Sequence, residues 1–276
     1  MIDVTRTLRS AVLAAGVTRA ARTALRRTKP GGAELWERTN HAGRPVDLCS
    51  GPAVTVGVAA GALAAEPGTR AAALVATLAG GACGAYDDVA GAGDPRRGFR
   101  AHLGALRDGE LSSGAVKLFG MSAAGLVAGA LLKERGVDKV LAGVVVAGTA
   151  HLINLVDVRP GRAAQAALAL GAAGLLRGSL AAAPMGAAAA VLPDDLAEHG
   201  MLGDCGAHAL GAALGVAIVA GNGRAGLAAH AAGIVAAVAC GEHVSAWARK
   251  DLPQVLEQVL EQVRQQGVRQ ADDSPM

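Results

Sequence analysis

Four acidic side chains stand where uncharged stretches of this sequence stop or start. Asp87 and Asp88 close one stretch in GAYDDVAG, Asp157 closes another in INLVDVRPGR, and Asp204 opens a third in MLGDCGAH. A carboxylate at the edge of an apolar run carries a desolvation cost, so its recurrence at three run ends points to a shared cation or polar site. Loop ends are also ordinary places for acids, as Asp194, Asp195 and Glu198 illustrate, so position alone leaves both readings open.

The elements that must position these acids are apolar and built from small residues. Of 276 residues, 52% are hydrophobic but only 2% are aromatic, and 39 are glycine. A soluble core of this size ordinarily relies on more Phe, Tyr and Trp. Uncharged stretches recur at about 51–65, 71–86, 114–132, 140–156, 163–176, 179–192, 205–221 and 225–241, separated by short polar gaps. Most are slightly shorter than the ~20 residues of a full membrane span. Alanine and glycine drive insertion weakly, so mutual packing through small faces must hold such helices together. The predicted fold is therefore all-α, a polytopic transmembrane helix bundle of about eight or nine spans. Residues 1–50 read as a short span or amphipathic helix followed by a basic cytoplasmic loop, residues 51–241 as the bundle, and residues 242–276 as a cytoplasmic amphipathic tail. In that tail Val255, Leu256, Val259, Leu260 and Val263 share a helical face.

Charge sets the orientation. With the segment before Gly51 placed in the cytoplasm and each run crossing once, 18 Lys and Arg residues fall inside and 6 outside. This is the positive-inside pattern, and it brings Asp87, Asp88, Asp157 and Asp204 to the cytoplasmic face. The apolar patch near the N-terminus is followed by its basic residues, the reverse of a secretory signal, so cleavage is not expected. Cys49, Cys83, Cys205 and Cys240 are scattered without CxxC spacing, which argues against a zinc site or a disulfide framework. His151, His208 and His230 lie within the runs and are expected to hydrogen-bond between helices.

The residues around the acids resemble those of the polyprenyl-phosphate N-acetylhexosamine-1-phosphate transferase superfamily, which includes the phospho-MurNAc-pentapeptide translocase and bacterial GlcNAc-1-phosphate transferases. Asp87-Asp88 looks like the family's Asp-Asp pair, Asn154-Leu155-Val156-Asp157 like its Asn-Leu-x-Asp motif, and Met201-Leu202-Gly203-Asp204-Cys205-Gly206 like its Met-x-Gly-Asp-x-Gly motif. Each motif is weak alone, but their order and helix-end placement match across roughly residues 36–245. The resemblance implies a multi-pass enzyme of the cytoplasmic membrane with its active face inside. It would move a sugar-1-phosphate from a nucleotide-sugar to a polyprenyl phosphate for cell-envelope polymers. Mg²⁺ is the implied cofactor, since it takes one or two carboxylates together with phosphate oxygens and water. Asp204 and Asp87 are the implied metal ligands, and Asp87, Asp88, Asp157, Asp204 and Lys117 the implied catalytic set. Arg97, Asn154, Gly203 and Asn40 are implied substrate contacts. The nucleotide-sugar, the lipid phosphate and a second copy of the chain are the expected partners, and no nucleic acid is.

Three features depart from the family pattern. Asp157 is followed by Val158-Arg159-Pro160-Gly161-Arg162, which puts basic residues where relatives carry a further acid. Arg159 and Arg162, flanking a predicted Pro-Gly turn, are expected to contact phosphate. The histidine-rich loop of well-studied members is missing, and Met201 occupies the place of an aromatic residue. A catalytically silent relative that binds polyprenyl phosphate, or scaffolds envelope synthesis, is the alternative reading. A small-solute transporter is a third, weakened by the lack of internal repeats and midplane charge. A cysteine introduced at Arg159 should react with impermeant thiol reagents only when the cytoplasmic face is open. Labelling of Arg159→Cys from outside in intact cells contradicts the shared-face orientation.

Overall fold

A computed structural model describes residues 3–40, 42–91, 104, 109 and 112–250. The described chain is almost entirely helical. Helix α1 spans Val4–Thr28, the short α2 Ala33–Trp36, and α3 Ser50–Ala62. Strands β1 (Glu37–Thr39) and β2 (Pro45–Asp47) form a small antiparallel hairpin that the sequence pattern did not announce. Then come α4 (Pro67–Ala90), α5 (Ser113–Leu132), α6 (Gly136–Val156), α7 (Arg162–Leu175) and α8 (Ala182–Leu196). Helices α9 (Gly203–Ala220), α10 (Arg224–Ala239) and α11 (Gly241–Lys250) complete the order. The expected amphipathic tail lies, apart from 242–250, outside the described residues.

Helix α9 is the axis of the bundle. It packs on α3, α4, α6 and α7, and Leu210, Leu214, Val216 and Val219 are fully buried along it. Glycines on a four-residue repeat let the backbones touch. A Cβ at Gly211 would lie 2.6 Å from Ala150 Cα and one at Gly215 2.7 Å from Val146 Cα, so both face the α6 backbone. Gly80 and Gly84 of α4 stand likewise against the His208 and Asp204 carbonyls of α9. This is the small-residue packing used where apolar burial alone does not favour helix association.

Helix α1 runs antiparallel along the whole of α3. Its Arg6 pairs with Glu66 at one end (2.9 Å), Ser10 Oγ donates to the Gly61 carbonyl, and Arg22 Nε donates to Ser50 Oγ at the other end (3.0 Å). Its buried stripe is Ser10, Ala14, Thr18 and Arg22, one residue every four. Arg22 also reaches Asp194 of α8 (2.8 Å). The N-terminal segment is therefore part of the bundle and not a detached interfacial helix.

Among the described residues, α5, α6 and α9 are each long and apolar enough to cross a membrane. The pair α10–α11, bent by 75°, makes a fourth if counted as one broken span. Outward-facing side chains such as Leu126, Val127 and Leu131 of α5 are apolar and exposed, as on a lipid-facing surface. The eight or nine spans expected from the uncharged runs exceed this number for a physical reason. Helices α3, α7 and α8 have only 13 to 15 residues, and α1 and α4 carry charges in their turns. Replacing Gly211 by valine should destabilise the protein by about 1–3 kcal/mol or more, since its neighbour is backbone and cannot yield cheaply. Gly233→Val is the control, because a Cβ at that position would have nothing within 4 Å. It should melt in detergent like the parent.

Candidate functional site

The four acids gather at one end of the bundle, but with different partners. Asp87 and Asp88 occupy the last turn of α4, Asp157 follows the last residue of α6, and Asp204 sits in the first turn of α9. Lys117, one turn into α5, lies between Asp87 and Asp204. Its Nζ donates to Asp87 Oδ2 at 2.6 Å and also to Asp204 Oδ2. The Ser113 hydroxyl, one turn earlier, stands near Asp87 at the end of α4. Three helices thus contribute one ammonium and two carboxylates to a single cluster whose side chains are mostly buried. Reduced hydration strengthens such contacts, and the shared cation offsets the repulsion between the two acids.

Asp88 turns away from this cluster. Its Oδ1 accepts from Asp204 N–H at 2.9 Å and its Oδ2 from Cys205 N–H at 3.0 Å. Gly203 adopts φ +59 directly beneath these bonds. The Asp88 carbonyl accepts in turn from Arg38 Nη2 of β1 at 2.9 Å.

Asp157 borders a neighbouring cavity of about 200 Å³, lined also by Thr39, Asn40, Arg159, Asp195, Glu198 and Met201. Desolvation, with added repulsion from Asp195, Asp204 and Asp88, holds the Asp157 carboxyl well above the usual carboxylate range. Asn40 closes its own turn by accepting from Ala42 and Arg44 N–H, and its amide donates to Glu198. Glu198 is held from the other side by Arg44 (3.0 Å). Asp195 is buried and its Oδ2 has no hydrogen-bond partner among the described residues, so a donor presented from the cavity would satisfy it.

The remaining sequence-derived candidates divide. Arg159 is exposed and lines the cavity beside the Pro160–Gly161 turn, in which Gly161 takes φ +77. Arg162 is buried at the start of α7 and is not among the cavity-lining side chains, so of the two arginines Arg159 lines the cavity and Arg162 does not. Asn154 lies in the last turn of α6, where its carbonyl accepts from Asp157 N–H (3.1 Å). Arg97 and His41 lie outside the described residues. The histidines differ from expectation: His208 and His230 donate through Nδ1 to the carbonyl four residues earlier in their own helices, both at 2.7 Å, and not to another helix.

Asp195 and Glu198 are the site residues that sequence reasoning passed over as ordinary loop acids. The Pro193-Asp194-Asp195 run at the end of an apolar stretch, at the same face as the other acids, was the available signal. Among the described residues no group of three or more His, Cys, Asp and Glu side chains converges as a metal cage. The two carboxylates around Lys117 Nζ form a smaller set, and they fit Mg²⁺, which is usually held by one or two carboxylates while phosphate and water complete its octahedron.

Removing the shared cation should expose its role. Lys117→Met is expected to destabilise the protein by about 1–3 kcal/mol, less than breaking a fully buried pair costs. Millimolar Mg²⁺ should restore part of the lost melting temperature in the variant. Identical melting of the variant and the parent, with and without Mg²⁺, contradicts the counter-charge role. Compared with known protein families and with curated proteins, the chain matches none.

Proposed function

We propose that this chain is a Mg²⁺-dependent membrane phosphotransferase, moving a sugar-1-phosphate from a nucleotide-sugar to a polyprenyl phosphate at the cytoplasmic face of the cell membrane. The observation that carries the reading is the convergence of Asp87 and Asp204 on Lys117, beside a cavity that offers hydrogen-bonding groups. The membrane setting is supported by α5, α6 and α9, each long and apolar enough to cross, with α9 enclosed by α3, α4, α6 and α7.

In the reaction, an oxygen of the lipid phosphate attacks the β-phosphorus of the nucleotide-sugar. The bond from that phosphorus to the bridging oxygen breaks, and a nucleoside monophosphate leaves with the electron pair. Both reactants are anionic, so their approach requires neutralisation. Asp87 and Asp204 would hold the metal, which when bound supplies positive charge to the diphosphate and the leaving group. Lys117 would pair with a phosphate oxygen as a point charge, and Arg159, exposed on the cavity wall, could engage phosphate through its planar fork. Asp157 and Asn40, which both line the cavity, would offer hydrogen bonds to the nucleotide portion. No general base is needed, because a phosphate monoester is already largely ionised near pH 7. Orientation and charge neutralisation would then supply most of the rate.

The departures at Met201 and Arg159 keep a second reading in view: a relative that binds polyprenyl phosphate without transferring to it. Purified protein incubated with Mg²⁺, undecaprenyl or decaprenyl phosphate and a panel of UDP-sugars should release UMP, and EDTA should stop the release. Asp204→Asn should abolish turnover while leaving the melting transition in detergent intact. EDTA-insensitive turnover in that variant overturns the metal assignment. Lipid-phosphate binding without UMP release from any UDP-sugar favours the silent relative.

A further inference from the structure

Asp87 and Asp88 are neighbours in sequence, yet they leave the end of α4 in different directions. The first turn of α9 explains where Asp88 goes. The residue preceding that helix, Leu202, makes no side-chain capping bond. The N–H groups of Asp204 and Cys205 are the second and third of the helix, the two that an N-capping side chain ordinarily satisfies. Asp88 satisfies both, one with each carboxylate oxygen, from 116 and 117 residues earlier in the chain. Its negative charge also faces the positive end of the α9 dipole.

The surrounding backbone is shaped to this cap. A Cβ at Gly203 would lie 3.0 Å from both Asp88 carboxylate oxygens and 3.0 Å from Leu48 Cδ2, and its φ of +59 disfavours any side chain there. Gly84, one turn before Asp88, leaves no room for a Cβ against the Asp204 carbonyl. Arg38 fixes the Asp88 backbone from β1. The main chain of Asp204 is therefore held by Asp88, Gly84 and Gly203, while its side chain points to Lys117 and Asp87.

We infer that Asp88 is a positioning residue: by capping α9 from the end of α4 it holds the Asp204 carboxylate over Lys117 and Asp87, and it is neither a metal ligand nor a proton acceptor. This deepens the phosphotransfer reading and rests on it for its kinetic consequences. The two adjacent acids thus do separate work, Asp87 in the charged cluster and Asp88 in the backbone that carries Asp204.

The test uses the full chain in detergent, with Asp87→Asn, Asp88→Asn and Gly203→Ala as variants. Hydrogen exchange of the peptide covering the start of α9 is read beside Mn²⁺ binding by electron paramagnetic resonance, and beside kcat, KM and the pH–rate profile. An asparagine offers one acceptor oxygen where two amides need one each. Asp88→Asn should therefore speed exchange at Asp204 and Cys205 about tenfold or more. Its Mn²⁺ affinity should fall roughly ten- to hundredfold, as when a supporting partner of a ligand is lost, with one site retained. Turnover should fall through kcat, with KM and the shape of the pH profile kept. Gly203→Ala, which crowds the cap without removing it, should give the same pattern and stands in if Asp88→Asn does not fold. Asp87→Asn should weaken Mn²⁺ binding with α9 exchange unchanged. Loss of Mn²⁺ binding in Asp88→Asn with unchanged exchange makes Asp88 a ligand and overturns the inference. Loss of the acidic limb of the pH profile with unchanged exchange makes it a base and does the same. If no nucleotide-sugar is turned over but exchange and Mn²⁺ binding respond as stated, the transfer reaction fails and the positioning of Asp204 by Asp88 stands.

Discussion

Where α4 meets α9, two helix backbones touch with no side chain between them, because Gly80 faces the His208 carbonyl and Gly84 that of Asp204. A helix pair this close can exchange hydrogen bonds between one helix's terminal side chain and the other's terminal amides, and Asp88 does so. Widening the contact by one methyl group would separate Asp88 from the amides it caps and swing Asp204 away from Lys117. The same small-residue contact recurs along α9, where Gly211 and Gly215 lie against α6. The α6 end carries Asp157, so one packing device joins the three acid-bearing segments, α4, α6 and α9.

Charge completes what packing begins. Two carboxylates at the end of an apolar bundle repel one another and lose hydration, and neither cost is tolerable without a cation between them. Lys117 supplies it from a third helix, so α4, α5 and α9 are tied at one point by electrostatics and along their lengths by small residues. The far side of the same end is tied separately, by Arg22 to Asp194 and Arg26 to Asp47 (3.0 Å). These pairs anchor α1 and the hairpin against α8. The cavity lined by Asp157, Asp195 and Glu198 also has Met201 and the exposed Arg159 on its wall.

Much of this was legible in the sequence. The parity of the uncharged runs predicted that Asp87, Asp88, Asp157 and Asp204 share one end, and the resemblance picked out Lys117. Helix phase was not legible. Adjacent residues on a helix differ by about 100° in direction, so the assignment of Asp87 to the cluster and Asp88 to the cap depends on how α4 is rotated against its neighbours. Asp195 and Glu198 escaped notice because single acids near loops are ordinary, and their convergence with Asp157 arises from long-range packing of α8 on α7. Helix α1 was ambiguous because its apolar content is low, and only its four-residue stripe of Ser10, Ala14 and Thr18 fits it closely to the glycines of α3. The number of spans is legible only in part for a related reason: alanine-rich runs read as spans one by one, whereas among the described residues α5, α6, α9 and the bent pair α10–α11 meet the length and apolarity of a span.

The central claim is that the Asp87–Lys117–Asp204 cluster is a divalent-cation and phosphate site. Anomalous diffraction from crystals grown with Mn²⁺ and a UDP-sugar tests it most directly. The account predicts one manganese peak between the Asp87 and Asp204 carboxylates, with diphosphate oxygens completing the coordination and Lys117 displaced onto phosphate. A manganese-free cluster with Lys117 still bridging both carboxylates, while the nucleotide-sugar is bound elsewhere, would contradict it.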